Sequence, residues 1–219
     1  MTSSKNEKPG GKSGLSEHQS IKTNILSVAK MGKYEITTKK GYDFFECSSA
    51  LQKCIRRGME DEALYWAVEL YDSNFSEYVW KRLRIMSSED VGLAEPNISS
   101  EIWALYCMFK EQAKKKEDSN EPQRLFLTHA VLLLCRSKKS RLIDWALLFA
   151  WLTHPFKKIP VPDFALDKHN DRGKRLKRGW AHFFNEGTIL ANRAEVAREE
   201  EFREAAKRAI GDPTGTSLF

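Results

Sequence analysis

The side chains best suited to chemistry in this chain are Asp163, Asp167, His169, Asp171, His182 and Glu186. Carboxylates and imidazoles ligate divalent metals, which activate water or polarise a phosphate. His182 and Glu186, four residues apart, would share one face of a helix. The set could build a metal-dependent nuclease or hydrolase from segment 163–186. Its spacing matches neither H-E-x-x-H nor any other pattern of high information, and polar residues that follow prolines ordinarily serve turns and caps. The metal enzyme is therefore the alternative reading. Gly11-Lys12-Ser13 ends like a phosphate-binding loop, but G-x-x-x-x-G-K-S needs a glycine where Asn6 stands, and no strand precedes it. His129 sits in an apolar run with no acidic neighbour and reads as a hydrogen-bonded core histidine. No catalytic residue, metal ligand or cofactor is expected.

Phosphate contact is the stronger chemistry. Lys and Arg total 36 against 30 Asp and Glu, a net charge of +6. Residues 1–40 carry eight lysines against three glutamates, and residues 157–178 carry eight Lys/Arg against three aspartates. Two groups are candidates for nucleic-acid binding: Arg136, Lys138, Lys139 and Arg141, and further on Arg172, Lys174, Arg175, Lys177 and Arg178. Cations in such groups neutralise phosphates and release counterions, giving sequence-independent, salt-sensitive affinity. The plain alternative is a solvated basic face. Trp66, Trp80, Trp103, Trp145, Trp151 and Trp180 could stack on bases, but at helical spacing among aliphatics most of them read as packing.

The elements that would position these groups are helical. Phe44, Cys47, Leu51, Cys54 and Ile55 recur at three- and four-residue spacing, with Asp43 and Glu46 as a capping-box variant and Gly58 as the stop. Further helices are expected over 60–72, 76–87, from Asn97 through Phe109, from Pro122 through the apolar run Val131–Cys135, and over 140–152. Lys110–Glu121 reads as a charged connection. The His154-Pro155 pair stops the sixth helix; Pro155, Pro160 and Pro162 impose an extended segment. Helices around 174–192 and 194–210 follow, the last with Glu199–Arg203 and Glu204–Arg208 pairs at i,i+4. No stretch of the core alternates with period two, so the expected fold is all-α, an irregular bundle. The boundaries expected are a basic arm over 1–40, a helical domain over 41–153 and a Pro-started helical extension over 154–219.

A chain of 219 residues with 41% hydrophobic content can bury a full core without disulfides or metal. Cys47, Cys54, Cys107 and Cys135 sit in apolar helical patterns with no CxxC pairing, so neither a zinc ribbon nor a secreted disulfide framework is suggested and a reducing compartment is expected. The charged, glycine-containing N-terminus is unlike a signal peptide, and no apolar window is long enough to span a bilayer, so a cytoplasmic location is expected.

Ser49-Ala50-Leu51-Gln52-Lys53-Cys54-Ile55-Arg56-Arg57-Gly58, with Asp61-Glu62-Ala63-Leu64-Tyr65-Trp66 after it, resembles the C-terminal region of the replication-associated recombination protein A and Werner-helicase-interacting AAA+ ATPases. Arg82-Leu83-Arg84-Ile85 and Ser88-Glu89-Asp90-Val91-Gly92-Leu93-Ala94-Glu95-Pro96 are similar to the family's next motif, and Ser137-Lys138-Lys139-Ser140 matches more weakly. The resemblance covers roughly residues 40–150. It implies a clamp-loader-like, all-helical collar domain, assembly into oligomers or docking on a partner ATPase or replication protein, and DNA replication, recombination or repair as the setting. The Walker-type ATPase that precedes this region in the family is replaced here by the basic arm, so ATP hydrolysis is not carried over and a non-enzymatic role is expected.

Overall fold

Asp43 starts the helical part of the chain. Its extended backbone lets Oδ1 accept from the amides of Phe45 (2.8 Å) and Glu46 (2.9 Å), which satisfies two otherwise orphaned donors of α1, Phe44–Arg57. Gly58 ends α1 at φ 69°, in the left-handed region that favours glycine, and the amides of Gly58 and Met59 return to the carbonyls of Ile55 and Cys54. The computed structural model describes residues 36–113 and 121–211. The Gly11-Lys12-Ser13 triplet, most of the basic arm, the middle of the 110–121 connection and the helix stop at Pro213 lie outside the described residues.

Four more helices complete the bundle. They are α2 (Glu60–Leu70), α3 (Ser76–Met86), α4 (Ile98–Ala113) and α5 (Pro122–Arg136). A wide turn at Tyr71–Phe75, with Asn74 at φ 68°, joins α2 to α3. Pro122 occupies the first turn of α5, where its missing N–H costs nothing. Leu51, Ile55, Leu70, Trp80, Leu83, Ile102 and Leu134 are fully buried at the centre. Each such aliphatic side chain contributes about 1.5–3 kcal/mol relative to exposure. Among the described residues there is no strand, only an isolated bridge between Thr37 and Asp43. The all-α bundle expected from the periodicity is what forms.

The sixth helix departs from expectation. α6 (Leu142–Thr153) forms over the span the pattern requires, yet it has no buried residue. Trp145 is 58%, Trp151 73% and Leu152 67% exposed. His129 is likewise exposed on α5 rather than held in the core. Of the six tryptophans only Trp80 is fully buried; Trp66 and Trp180 are half-buried and Trp103, Trp145 and Trp151 are exposed, so packing in the core accounts for fewer of them than helical spacing suggests.

The chain divides into two compact units, one through Leu152 and the other from Thr153. In the second, α7 (Asp171–Arg175), α8 (Trp180–His182) continuing into a wide turn at Phe183–Gly187, and α9 (Glu199–Gly211) replace the two long helices expected. Lys177 at φ 56° and Gly179 break the first, and Arg198 at φ 69° delays the start of the last. On α9 the ion pairs run at i,i+3, Arg203 with Glu200 and Lys207 with Glu204.

Candidate functional site

The basic group between α5 and α6 is largely engaged within the protein. Arg136 donates from Nε and Nη2 to both carboxylate oxygens of Glu60, at 2.7 and 3.0 Å, and this guanidinium holds the Glu60 carboxyl below its ordinary range. Lys139 points its ammonium at the carbonyls of Leu134, Cys135 (3.1 Å) and Ser137 (2.7 Å), the unsatisfied end of α5. Burial pushes its pKa down. The neighbouring Cys135 thiol is pushed up to about 11 by burial, which makes it inert as a nucleophile. Arg141 pairs with Asp144 and reaches Glu89 at 3.4 Å. Of these four side chains, that of Lys138 alone makes neither an ion pair nor a hydrogen bond among the described residues, while its amide donates to Glu95 Oε1 at 2.8 Å.

The second basic group sits on a braced turn. Arg178 donates to both oxygens of Asp163, each at 2.7 Å, and to the carbonyls of Asp163 (2.7 Å) and Leu166 (3.0 Å), and it lowers the Asp163 pKa. Asn170 Oδ1 accepts from the Gly173 amide at 2.9 Å, and Asn170 Nδ2 donates to the Ala165 carbonyl at 2.8 Å. A Cβ at Gly173 would collide with the backbone of Asp167, so only glycine lets α7 approach the turn this closely. Arg172, Lys174, Arg175 and Lys177 are exposed; Lys174 stands 3.8 Å from Asp171, a solvent-screened pair.

The six candidate metal ligands do not converge. Asp163 is held by Arg178, and Asp167 by the backbone N and Nδ1 of His169, both at 2.9 Å, which depresses the Asp167 pKa. Among the described residues no group of three or more His, Cys, Asp or Glu side chains is placed to hold a metal ion. The nuclease reading finds no support.

The motif residues behind the resemblance meet at one place. Arg56 Nε donates to Asp90 Oδ1 at 2.5 Å and Arg56 Nη2 to Glu89 Oε1 at 3.1 Å. Gln52 Nε2 reaches Asp90 Oδ2 at 3.3 Å, and the Asp90 carbonyl accepts from Ser140 N at 3.0 Å. Gly92, at φ 51°, leaves room for Ile143, whose Cδ1 would lie 2.7 Å from a Cβ there. The cluster thus grips the first turn of α6 through Ser140, Arg141 and Ile143, and leaves the rest of that helix projecting. Between α3 and α6 runs a groove of about 480 Å³ lined by Lys81, Arg84, Ile85, Ile143 and Leu147. Beside it Arg84 lies over the rings of Trp103 (5.7 Å) and Tyr106 (4.4 Å). Sequence reasoning missed Arg84 and the exposure of Trp103 and of α6; Trp103 is exposed and Arg84 and Tyr106 are half-buried beside it, and Trp, Tyr and Arg are the residues enriched in interface hot spots. α6 is too short to cross a membrane, and no helix among the described residues is long and apolar enough to do so.

Replication-associated recombination protein A of Bacillus subtilis (strain 168) is 28% identical over 157 residues, covering 69% of this chain and 36% of that protein. The Haemophilus influenzae protein of the same name is 29% identical over 132 residues, 60% of this chain and 27% of its own length. The Coxiella burnetii one reaches 41% over 59 residues, 26% of this chain and 13% of that protein. The chain therefore spans only about a third or less of the curated relatives it matches. The family model described as the C terminal region of the MgsA AAA+ ATPase covers residues 58–189, and no ATPase module is matched. Because that span runs from the cap of α1 through the Asp90 cluster, α6 and the braced turn, the chain belongs to the family of MgsA AAA+ ATPase C-terminal domains.

Proposed function

We propose that this chain is a non-catalytic, cytoplasmic module of DNA replication, recombination or repair that assembles through α6, with further copies of itself or with a partner ATPase. The observation that carries the reading is the combination of an apolar, exposed helix with a buried ionic cluster that fixes its first turn. Leu142, Trp145, Leu148, Trp151 and Leu152 line one half of α6 and Ile143 and Leu147 the other, all of them exposed, and a helix apolar all round is ordinarily buried. Covering one such side chain is worth about 1.5–3 kcal/mol, so a docked α6 supplies enough apolar burial for a stable complex. The relatives' name, replication-associated recombination protein, supports the cellular setting.

Light scattering tests this directly. The full chain should exceed monomer mass, or should shift to a larger mass when mixed with a full-length AAA+ relative. Leu148→Glu and Trp151→Glu should abolish that association while leaving the thermal melt unchanged, since neither side chain is part of the core. A chain that stays monomeric alone and ignores the ATPase would overturn the reading.

A further inference from the structure

We propose that the braced turn 167–178 is a nucleic-acid backbone site, and that Lys168, positioned at its start by His169, seats one phosphate. The inference uses the reading of the chain as a module of DNA transactions only to choose nucleic acid among phosphate carriers.

The argument begins with charge. Lys168, Arg172, Lys174, Arg175, Lys177 and Arg178 fall within eleven residues that hold a single acid, Asp171. Like charges at this density repel one another and favour an open chain. Here they are held in a fixed turn instead, by the Asp163–Arg178 pair, the Asn170 bonds and the close approach of Gly173 to Asp167. That bracing uses Arg178; of the others only Lys174 has an acid within ion-pairing distance, Asp171 at 3.8 Å. Among the described residues Lys168, Arg172, Arg175 and Lys177 form no salt bridge. The basic group after α5 is the opposite case, since Arg136 and Arg141 are paired with acids and Lys139 caps a helix. Fold stability explains the second arrangement. It does not explain the first, where a preorganised array of cations is what repeated phosphates require.

The first residues of the turn add geometry. Asp167 Oδ2 accepts from His169 Nδ1 at 2.9 Å, which turns Nε2 away from the carboxylate. Lys168 Nζ lies 3.4 Å from that Nε2 and 3.4 Å from the centroid of the Trp180 ring. The ring of His169 also meets Phe183 edge-on at 5.2 Å. The imidazole Nε2 and the Trp180 ring thus hold the Lys168 ammonium in place from two sides. A phosphate oxygen that approaches the ammonium takes a charge-assisted bond from Lys168 Nζ.

The test uses the full chain and a fluorescein-labelled single-stranded oligothymidylate, with a duplex of equal length beside it, by anisotropy across a salt series. Binding should weaken steeply with salt. Lys168→Gln and Arg175→Gln should each weaken it several-fold and reduce the salt slope by about 1; His169→Gln should weaken it while leaving the melt intact. Arg136→Gln should leave binding unchanged. The proposal is overturned if no oligonucleotide binds at the lowest salt, if Arg136→Gln weakens binding more than Lys168→Gln, or if inorganic phosphate or anionic vesicles bind the turn while oligonucleotides do not. Mass by light scattering on the same samples reads assembly through α6 separately, so loss of one property is distinguishable from loss of the other.

Discussion

Arg56 donates to Asp90 across 2.5 Å, and the Asp90 side chain is fully buried while that of Arg56 keeps 26% of its surface. The carboxylate has Gln52 as a second partner, and Glu89 shares Arg56 with it. A buried ion arranged in this way is tolerable only with its partners in place. Arg56→Ala leaves the buried Asp90 charge with only Gln52 and the more distant Arg141, 3.9 Å away, and should lower unfolding free energy by up to about 3 kcal/mol, whereas Arg56→Lys, which keeps the charge and loses the fork, should cost less. Denaturant unfolding followed by circular dichroism measures both. Equal stability of Arg56→Ala and the parent would mean that the pair positions α6 without supporting the bundle.

Gly92 gives a second prediction at the same cluster. A Cβ there meets Ile143 at 2.7 Å, and the φ of 51° disfavours any other residue. Gly92→Ala should displace the first turn of α6 and cost about 1–3 kcal/mol through backbone strain and overpacking. If α6 is the assembly helix, the same substitution should lower the mass seen by light scattering; an unaltered mass with a lowered melt would separate fold support from assembly.

The acidity of the braced turn is a third. Asp163 and Asp167 are held below the ordinary carboxylate range, by Arg178 and by His169 respectively. A carboxylate whose folded pKa is depressed stabilises the fold above its unfolded pKa, about 3.9 for aspartate, and loses that contribution as pH falls through the lower folded value. The turn should therefore stay intact through mildly acidic conditions and open only in strong acid. Carboxyl-detected NMR should show Asp163 titrating below the usual value, and Arg178→Gln should return it upward without moving Asp167.

The first five helices were legible because their sequence carries contrast. Asp43, Gly58 and Pro122 punctuate them, and polar faces alternate with apolar ones at helical spacing. α6 was legible as a helix but not as a surface, since a pattern apolar on every side says that something covers it without saying whether the cover is in the same chain. His129 misleads for a related reason: an apolar run in sequence does not tell which side of the helix faces out. The second unit resisted because its shape depends on Arg178 reaching back to Asp163 and on Gly173 lying against Asp167, contacts between residues far enough apart that local periodicity does not encode them. The basic residues could be found by counting; which of them are neutralised could not, because Glu60, the partner of Arg136, is 76 positions away.

Lys139 separates a structural cation from a ligand-binding one. Its ammonium donates to carbonyls of Leu134, Cys135 and Ser137, closing the end of α5, and burial lowers its pKa. Methionine at this position keeps the stem and removes the donors, leaving buried carbonyls without partners, which costs about 1–3 kcal/mol. Lys139→Met should therefore lower the melt and leave the oligonucleotide affinity of the folded protein unchanged, whereas Lys168→Gln should do the reverse. A Lys139→Met protein of parental stability but weakened binding would place the ammonium on the ligand and move the nucleic-acid contact to the α5–α6 junction.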